Sequence, residues 1–478
     1  MVWITSMLLA TVLWSGFFDQ TCSKEIEETH HELNFSRKIQ SESSTVVLVQ
    51  VIHRHGDRSQ TSTYPNDPNK NSWPQGFGQL TTMGMNQGFE LGQFLQSWYG
   101  ELIDKVFNHT QVSIRSTDYA RTLMTAECVA AGLFSQADRQ NHSVQGLPSI
   151  NWQPVPIYSV PKSMDRLLRP SSSCEYINDL RSEVEVSFDS QQELLFQKEL
   201  MLNLSRFTGM DINATSLHYL ADIVFCQNSH NMTQPKWLTP DIQTQLYSYK
   251  QNKASVTAAD AKYLSGTLLE TLINNIQAKM KGSQNKMYLY SAHESPLRFL
   301  MALLGVDTRL EVPYAAAVIV ELHQIEGKHL IRLFYRNSTT QAPHVLVAAG
   351  CPNEMCPFHI FNEVYQKRML TDKEWDDICI EAPYKSFVLA ESLFPLLVGV
   401  LVAFIGLDVF LGFKLFNLHN VLRHGPHLEQ YALLEAEQDH NESDVEFELE
   451  EMHTKVKNED LKQNNGGGSH VIDSDESI

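Results

Sequence analysis

The stretch Val51–Arg58 (VIHRHGDR) follows directly on an apolar run of strand length. That run, Thr45–Ile52 (TVVLVQVI), is rich in β-branched residues and predicts a buried strand ending in a polar loop. Ligand sites in α/β sheets lie beyond the carboxyl ends of strands. The loop places His55 between Arg54 and Arg58. Neutral imidazole can attack phosphorus, and arginine forks bind phosphate oxygens bidentately, although the tripeptide alone fits a solvated basic loop equally well.

Two later segments repeat the change from strand to polar loop. Val112–Thr122 (VSIRSTDYART) is a short strand with Arg115 near its end, followed by a polar turn and a helical stretch. Met287–Arg298 (MYLYSAHESPLR) is an apolar strand that delivers His293 and Glu294 side by side. If the three strand ends converge at one edge of a sheet, they form a phosphate pocket with a nucleophile and a proton donor.

On these residues the chain resembles the histidine acid phosphatases, and more narrowly their lysosomal and prostatic type. The matching stretches are RHGDRS (54–59), WPQGFGQLT (73–81), IRSTD (114–118), RTLM (121–124) and YSAH (290–293). The resemblance covers residues 45–382. It implies an α/β fold with a central, mostly parallel sheet flanked by helices, and a smaller helical cap over roughly residues 160–285. Strands are predicted near 45–52, 111–115, 287–291, 315–323 and 329–335, and they alternate with helical stretches as in an open α/β sheet. Family members are commonly dimers, so a homodimer is expected.

The resemblance also assigns roles to individual residues. His55 attacks the phosphorus and becomes a phosphohistidine. The phosphoryl oxygens are held by the remaining basic residues of the motifs, which are Arg54, Arg58, Arg115 and His293. Glu294, as the acid that follows the second histidine, protonates the leaving alkoxide and then assists water. Arg121 is interpreted as structural, and Asp57 as an orienting partner for arginine.

One departure from the family pattern concerns the proton donor. The usual dipeptide is His-Asp, whereas this chain has Glu294 after the histidine. Glutamic acid has a similar intrinsic pKa but is one methylene longer. We expect an active acid phosphatase for phosphate monoesters. Two alternatives stay open, namely a catalytically weakened membrane glycoprotein that binds phosphorylated ligands and a phosphatase specific for a glycan phosphate.

Composition and motifs argue against other function classes. The formal net charge is −19, and the tail from residue 417 contributes −11 of it, from 15 acidic residues against 4 Lys or Arg. Such a balance does not favour a nucleic-acid partner. The motif H-E-x-x-H, the P-loop, G-x-S-x-G and the dinucleotide fingerprint are absent from the sequence. We therefore expect neither a metal nor a cofactor.

The amino-terminal half carries signs of the secretory pathway. Residues 3–18 are apolar and of signal-peptide length, which predicts a signal peptide over 1–23 followed by a polar extension over 24–44. Seven N-x-[ST] sequons precede the next long apolar segment and predict a glycosylated luminal surface. The sequon asparagines are Asn34, Asn108, Asn141, Asn203, Asn213, Asn231 and Asn337.

The carboxyl-terminal part predicts a membrane anchor. Leu393–Phe413 is an apolar run of 21 residues, so we place a transmembrane segment over 387–413 and an acidic cytoplasmic tail over 414–478. This arrangement predicts a single-pass type I protein of the lysosome or endosome membrane, with the plasma membrane as a route to it. The tail holds an acidic dileucine pattern and an overlapping tyrosine pattern, which adaptor complexes read as sorting signals. The residues concerned are Glu429, Tyr431, Leu433 and Leu434.

The cysteines suit an oxidising compartment. The resemblance implies two disulfides, which join Cys174 to Cys379 and Cys351 to Cys356. The usual partner of Cys226 falls within residues 313–317, where no cysteine occurs, and Cys128 is additional. The last two cysteines either pair with each other or remain free thiols.

Overall fold

The computed structural model describes residues 45–135, 153–193, 198–251, 256–306 and 311–424. A folded unit ends at Cys379, and a second, helical unit begins at Ile380. Seven strands lie in the first unit. They are β1 (Val46–Arg54), β2 (Val112–Ser116), β3 (Met287–Ala292), β4 (Ala317–Ile325), β5 (Lys328–Arg336), β6 (His344–Leu346) and β7 (Cys356–Pro357).

These strands form a single mixed sheet in the order β2-β3-β1-β4-β5-β6, with β7 also paired to β5. Strands β1, β2 and β3 run parallel to one another. Every other pairing in the sheet is antiparallel. The α/β class is therefore confirmed, but the expectation of a mostly parallel sheet needs correction, because it holds for the first half of the sheet only.

The antiparallel half arises from a tight hairpin. Strands β4 and β5 pair from Ile325 opposite Lys328, which leaves the two-residue turn Glu326-Gly327. Both residues have positive φ, 49° for Glu326 and 76° for Gly327. Two successive positive φ angles are typical of the hairpin turn whose twist matches that of the flanking strands. A Glu-Gly turn is a weaker hairpin signal than Asn-Gly, so sequence reasoning found the two strands but missed their connection.

Helices cover both faces of the sheet and build the region between β2 and β3. Those of the first unit are α1 (Thr82–Tyr99), α2 (Ala120–Leu133), α3 (Pro170–Ser173), α4 (Glu175–Glu193), α5 (Lys198–Thr208), α6 (Ala214–Ser229), α7 (Pro240–Gln251), α8 (Ala258–Met280), α9 (Glu294–Leu303), α10 (Phe358–Tyr365) and α11 (Asp372–Asp376). Thr81 caps α1, and its side chain accepts a hydrogen bond from the Gly84 amide.

Strand β1 is buried on both faces because its side chains alternate between two cores. Leu48 and Ile52 belong to the core that α8 and α9 share. Val49 and Val51 belong to the core on the other face, with residues of α1 and α2. This two-sided burial explains why β1 reads as a continuous apolar run. It also holds the end of β1 rigidly in the middle of the sheet.

Helices α5, α6 and α7 have a small core of their own, which includes Leu204, Leu220 and Leu246. Helix α8 is different, because Leu268 and Leu272 lie in the core beneath the sheet. The helical region predicted over 160–285 is thus not one body. Its last helix belongs to the sheet layer, and the cap with an independent core ends with α7.

The four predicted disulfide cysteines are bonded as expected, Cys174 to Cys379 and Cys351 to Cys356. Cys128 and Cys226 are both free. Cys226 is completely buried on α6, and Cys128 lies on α2. Of the two alternatives, a disulfide between these cysteines or two free thiols, the structure shows two free thiols.

The second unit contains helix α12 (Ala382–His424), within which Val398–Asn420 is long and apolar enough to cross a membrane. This window begins 11 residues after the predicted start at 387 and ends 7 residues after the predicted end at 413. The predicted signal peptide, polar extension and tail signals lie outside the described residues, as do the sequons at Asn34 and Asn141. Asn213, Asn231 and Asn337 are exposed, and Asn108 and Asn203 are half-buried.

Candidate active site

Three strand ends meet at one edge of the parallel half of the sheet. Arg54, the last residue of β1, lies opposite Ala292 at the end of β3. Ser116 at the end of β2 lies opposite Ser291. The residues that follow these pairs therefore emerge side by side, and His55 and His293 come together with a ring-centroid separation of 5.5 Å. The predicted convergence of the first and third motifs is confirmed by this geometry.

The loop after β1 is shaped by glycine. A Cβ atom on Gly56 would stand 2.2 Å from the carbonyl oxygen of Gly84, in the first turn of α1. The Gly56 amide donates to the hydroxyl of Thr125 on α2 at 3.1 Å. The loop thus lies between the backbone of α1 and the Thr125 side chain of α2, and the close approach to α1 needs a residue without a side chain.

His55 is the central side chain of the site. It is 3% exposed, and its Nδ1 lies 2.8 Å from the Gly56 carbonyl oxygen. Because a carbonyl can only accept, Nδ1 carries the proton and donates. Within the described part of the chain, Nε2 makes no hydrogen bond. Burial, followed by the charges of Arg121, Arg54 and Arg58, holds the pKa of His55 well below its usual value.

Arg58 and Arg54 flank this histidine, and carboxylates orient both. The Nη1 and Nη2 atoms of Arg58 bind the two oxygens of Asp222 at 3.0 and 3.3 Å. The Nη1 atom of Arg54 binds Glu311 at 3.1 Å. The Arg54 guanidinium lies 4.2 Å above the ring of Tyr314. The bidentate carboxylate of Asp222 fixes the plane of the Arg58 guanidinium. Glu311 and the ring of Tyr314 hold Arg54, so both predicted arginines are pre-oriented beside the nucleophile.

The third arginine at the site is Arg121, not Arg115. The Nη2 atom of Arg115 forms an ion pair with Asp165 at 2.7 Å. Arg121 is 2% exposed, and among the nearby charges it has the largest effect on His55. Its Nη2 atom lies 3.4 Å from Nδ1 of His293. The interpretation of Arg121 as structural and of Arg115 as the phosphate ligand therefore needs correction.

His293 and Glu294 lie at the start of α9, where His293 is the N-cap residue. The Nε2 atom of His293 is 3.1 Å from the Thr117 hydroxyl. Burial, then Arg121 and Arg169, keeps the pKa of His293 well below its usual value. Glu294 is 5% exposed, and its Oε2 lies 3.9 Å from Nη1 of Arg54. The predicted acid is thus buried and close to an arginine of the loop.

Asp57 does not orient an arginine. Its Oδ2 accepts a hydrogen bond from the Thr81 hydroxyl at 2.5 Å and from Nε2 of His230 at 2.7 Å. Sequence reasoning also missed Asp222 and Glu311, which hold the two arginines. No local motif marks these positions. They come from the cap and from the segment before β4, and only the fold brings them to the loop.

A sequence profile of the histidine phosphatase superfamily (branch 2) matches residues 45–336. The chain belongs to the histidine phosphatase superfamily. The resemblance seen in the motifs is therefore confirmed, and the superfamily match ends with β5. Among the described residues of this histidine phosphatase, no group of three or more His, Cys, Asp or Glu side chains could hold a metal ion.

Several characterised relatives are similar over most of their length. Prostatic acid phosphatase of Bos taurus is 34% identical over 351 residues, covering 70% of this chain and 87% of the relative. Lysosomal acid phosphatase of Homo sapiens is 34% identical over 343 residues, covering 70% and 79%. Lysosomal acid phosphatase of Xenopus laevis is 32% identical over 386 residues, covering 78% and 87%.

The fold is also shared with a solved phytase. The structure of Hafnia alvei phytase in complex with tartrate matches with a TM-score of 0.50 and 16% sequence identity. The match covers 68% of this chain and 97% of the phytase. At this identity the likeness concerns the fold alone, and it confirms a sheet flanked by helices.

Proposed function

We propose that this histidine phosphatase is an acid phosphatase that hydrolyses phosphate monoesters through a phosphohistidine. The observation that carries the proposal is the hydrogen bond from His55 Nδ1 to the Gly56 carbonyl, which leaves the lone pair on Nε2. The low pKa of His55, caused by burial and then by nearby arginines, keeps that lone pair available in acid solution. The curated relatives that cover most of the chain are named acid phosphatases, which supports the same reaction.

In the first half of the reaction, Nε2 of His55 attacks the phosphorus and the bond to the alcohol oxygen breaks. Arg54, Arg58 and Arg121 neutralise the phosphoryl oxygens, where charge is spread in the transition state. Glu294 gives its proton to the departing oxygen, which leaves as the alcohol. This step needs the protonated acid, so an acid optimum follows.

In the second half, water attacks the phosphohistidine and the P–N bond breaks. Glu294, now a carboxylate, takes a proton from the water as the oxygen bonds to phosphorus. Inorganic phosphate leaves, and Nε2 of His55 regains its lone pair. His293, whose Nδ1 lies near Arg121, contacts the phosphoryl group as well.

The location proposed for this reaction is the lumen of lysosomes or endosomes, with access from the cell surface. Supporting it are the apolar window Val398–Asn420, the seven sequons and the lysosomal acid phosphatases among the relatives. We also infer type I topology, recognition of the tail by adaptor complexes through Glu429, Tyr431, Leu433 and Leu434, and a homodimer. Light scattering of the purified chain tests the dimer, and steady-state distribution of a Leu433→Ala, Leu434→Ala variant tests the sorting.

The deciding experiment is hydrolysis of an aryl phosphate by the detergent-solubilised chain between pH 3.5 and 8, with His55→Ala alongside. We expect turnover on the acid side and none in the variant. A rapid quench with a 32P-labelled ester should also leave a covalent label on the wild-type chain only. Absence of turnover together with tight phosphate binding would instead support the weakened, ligand-binding alternative. Turnover confined to one glycan phosphate would support the narrow phosphatase.

A further inference from the structure

A continuous line of buried charges joins the two arginines of the loop. From Arg54 it passes to Glu311 at 3.1 Å, then to Nζ of Lys250 at 3.2 Å, and then to Asp222 at 3.0 Å. Asp222 closes the line on Arg58 at 3.0 Å. Each of these side chains is at most 10% exposed. We call these five residues the charge chain.

Lys250 is the middle member of the charge chain and links the cap to the segment before β4. Asp222 and Lys250 belong to the cap helices α6 and α7, whereas Glu311 belongs to the segment between α9 and β4. The ammonium of Lys250 therefore ties the carboxylate that orients Arg58 to the one that orients Arg54. It also lies 4.9 Å from the ring centre of Phe225, which leaves it little contact with water.

The charges of these five side chains do not cancel. Arg54 and Arg58 are balanced by Asp222 and Glu311, so Lys250 leaves the charge chain with a net charge of +1. Burial alone would lower the pKa of Lys250, but Glu311 and Asp222 outweigh it and raise the pKa above its usual value. Burial would raise the pKa of Asp222, yet Arg58 and Lys250 bring it below its usual range. Lys250 and Asp222 therefore both keep their charges in acid solution.

We propose that Lys250 is a positioning residue that, by bridging Asp222 and Glu311, sets the spacing and net positive charge of the Arg54–Arg58 pair. In doing so it sets the affinity of the site for a phosphate anion. The anion must compete with two carboxylates for the guanidinium groups. The ammonium of Lys250 binds one oxygen of each carboxylate and neutralises one of their two negative charges. The inference rests on the phosphate-binding role proposed above for the two arginines.

The direct test is calorimetric titration of inorganic phosphate into the detergent-solubilised full chain at pH 5. We expect Lys250→Met to weaken binding about tenfold or more, because a buried charge interaction is removed while side-chain length is kept. Lys250→Arg should restore binding to within a few-fold. Lys262→Met is the matched control, because Lys262 pairs with Glu374 at 2.7 Å on other helices. It should bind phosphate as the wild type does.

Two further variants separate charge from mere packing, and the first of them, Glu311→Gln alone, remains informative if Lys250→Met fails to fold. Glu311→Gln alone raises the net charge to +2 and should bind phosphate several-fold more tightly than the wild type. Glu311→Gln combined with Lys250→Met returns the charge to +1 and should bind more tightly than Lys250→Met alone. If Lys250 only supported the fold, the double variant would instead bind phosphate more weakly than Lys250→Met.

Phosphate affinity and turnover are separate measurements, so the two proposals can fail separately. A wild-type chain that binds phosphate but turns over no ester would overturn the phosphatase and leave the Lys250 comparison valid. Unchanged phosphate affinity in a folded Lys250→Met variant would overturn the role of Lys250. Weaker binding by Glu311→Gln, or no phosphate binding by the wild type, would overturn it as well.

Discussion

The Nδ1 atom of His55 lies 2.8 Å from the carbonyl oxygen of Gly56, the next residue in the chain. This contact fixes both the tautomer and the direction of the ring, since the carbonyl accepts the only proton of the neutral imidazole. The same glycine is held by Thr125 and packs on Gly84. The orientation of the nucleophile is thus set by helix packing around a glycine.

We expect Arg121 to bind phosphate and Arg115 to be structural, which is the reverse of the roles that the sequence motifs suggest. We expect Arg121→Ala to lower kcat/KM by about 10²–10³-fold, the usual loss when one group that stabilises transition-state charge is removed. Arg115→Ala should change kcat/KM little but lower the melting temperature, because the completely buried Asp165 loses its ion-pair partner. Kinetics and thermal unfolding of both variants check this. The opposite pattern would restore Arg115 as the phosphate ligand.

Glu294 should matter most for poor leaving groups. As the proposed acid, it helps an alkyl phosphate more than an ester of an acidic phenol, whose oxygen departs without a proton. Glu294→Gln should therefore reduce hydrolysis of an alkyl phosphate about 10²–10⁴-fold and of a nitrophenyl phosphate much less. Glu294→Asp serves as the control that keeps the acid. Equal losses on both esters would argue against proton donation by this residue.

Gly56→Ala should destabilise the fold as well as the site. Its Cβ would stand 2.2 Å from the Gly84 oxygen, which is backbone and cannot swing away. We expect a loss of about 3 kcal/mol or more in unfolding free energy, in the upper range for overpacking. Gln93→Ala, at an exposed position of α1, provides a control with the same new side chain. A Gly56→Ala chain as stable as this control would contradict the close packing.

The buried His53 should make the protein less stable in acid. Burial lowers the pKa of His53 from 6.5 to about 4. Above pH 6.5 the ring is neutral in both states. As the pH falls from 6.5 towards 4, the unfolded chain gains a proton that the folded chain does not, so stability decreases by up to about 3 kcal/mol.

His53→Leu removes this titration. The fall in melting temperature between pH 7 and pH 4.5 should therefore be smaller in this variant than in the wild type. His109→Leu changes an exposed histidine and should leave the fall as it is in the wild type. An identical pH dependence in all three chains would rule out the contribution of His53.

The sequence by itself determined the strand β1 and the identity of Arg54, His55 and Arg58 at its end, whereas both disulfides were predicted from the family resemblance. The strand and the motif are local features, because an apolar β-branched run and the motif attached to it lie in adjacent residues. The predicted strands near 45–52, 111–115, 287–291, 315–323 and 329–335 all exist within a few residues of those bounds. The expectation that most of these strands run parallel was wrong, because a two-residue turn joins β4 and β5 into an antiparallel hairpin.

Only the tertiary structure decided which charges surround the nucleophile. Arg115 and Arg121 are six residues apart, one near the end of β2 and the other shortly after it, so spacing cannot choose between them. Arg115 pairs with Asp165, whereas Arg121, in the first turn of α2, lies beside His293. Lys250 belongs to a cap helix nearly 200 residues from His55 in sequence. Buried charges need partners from whatever segment lies next to them, and packing alone brings those segments together.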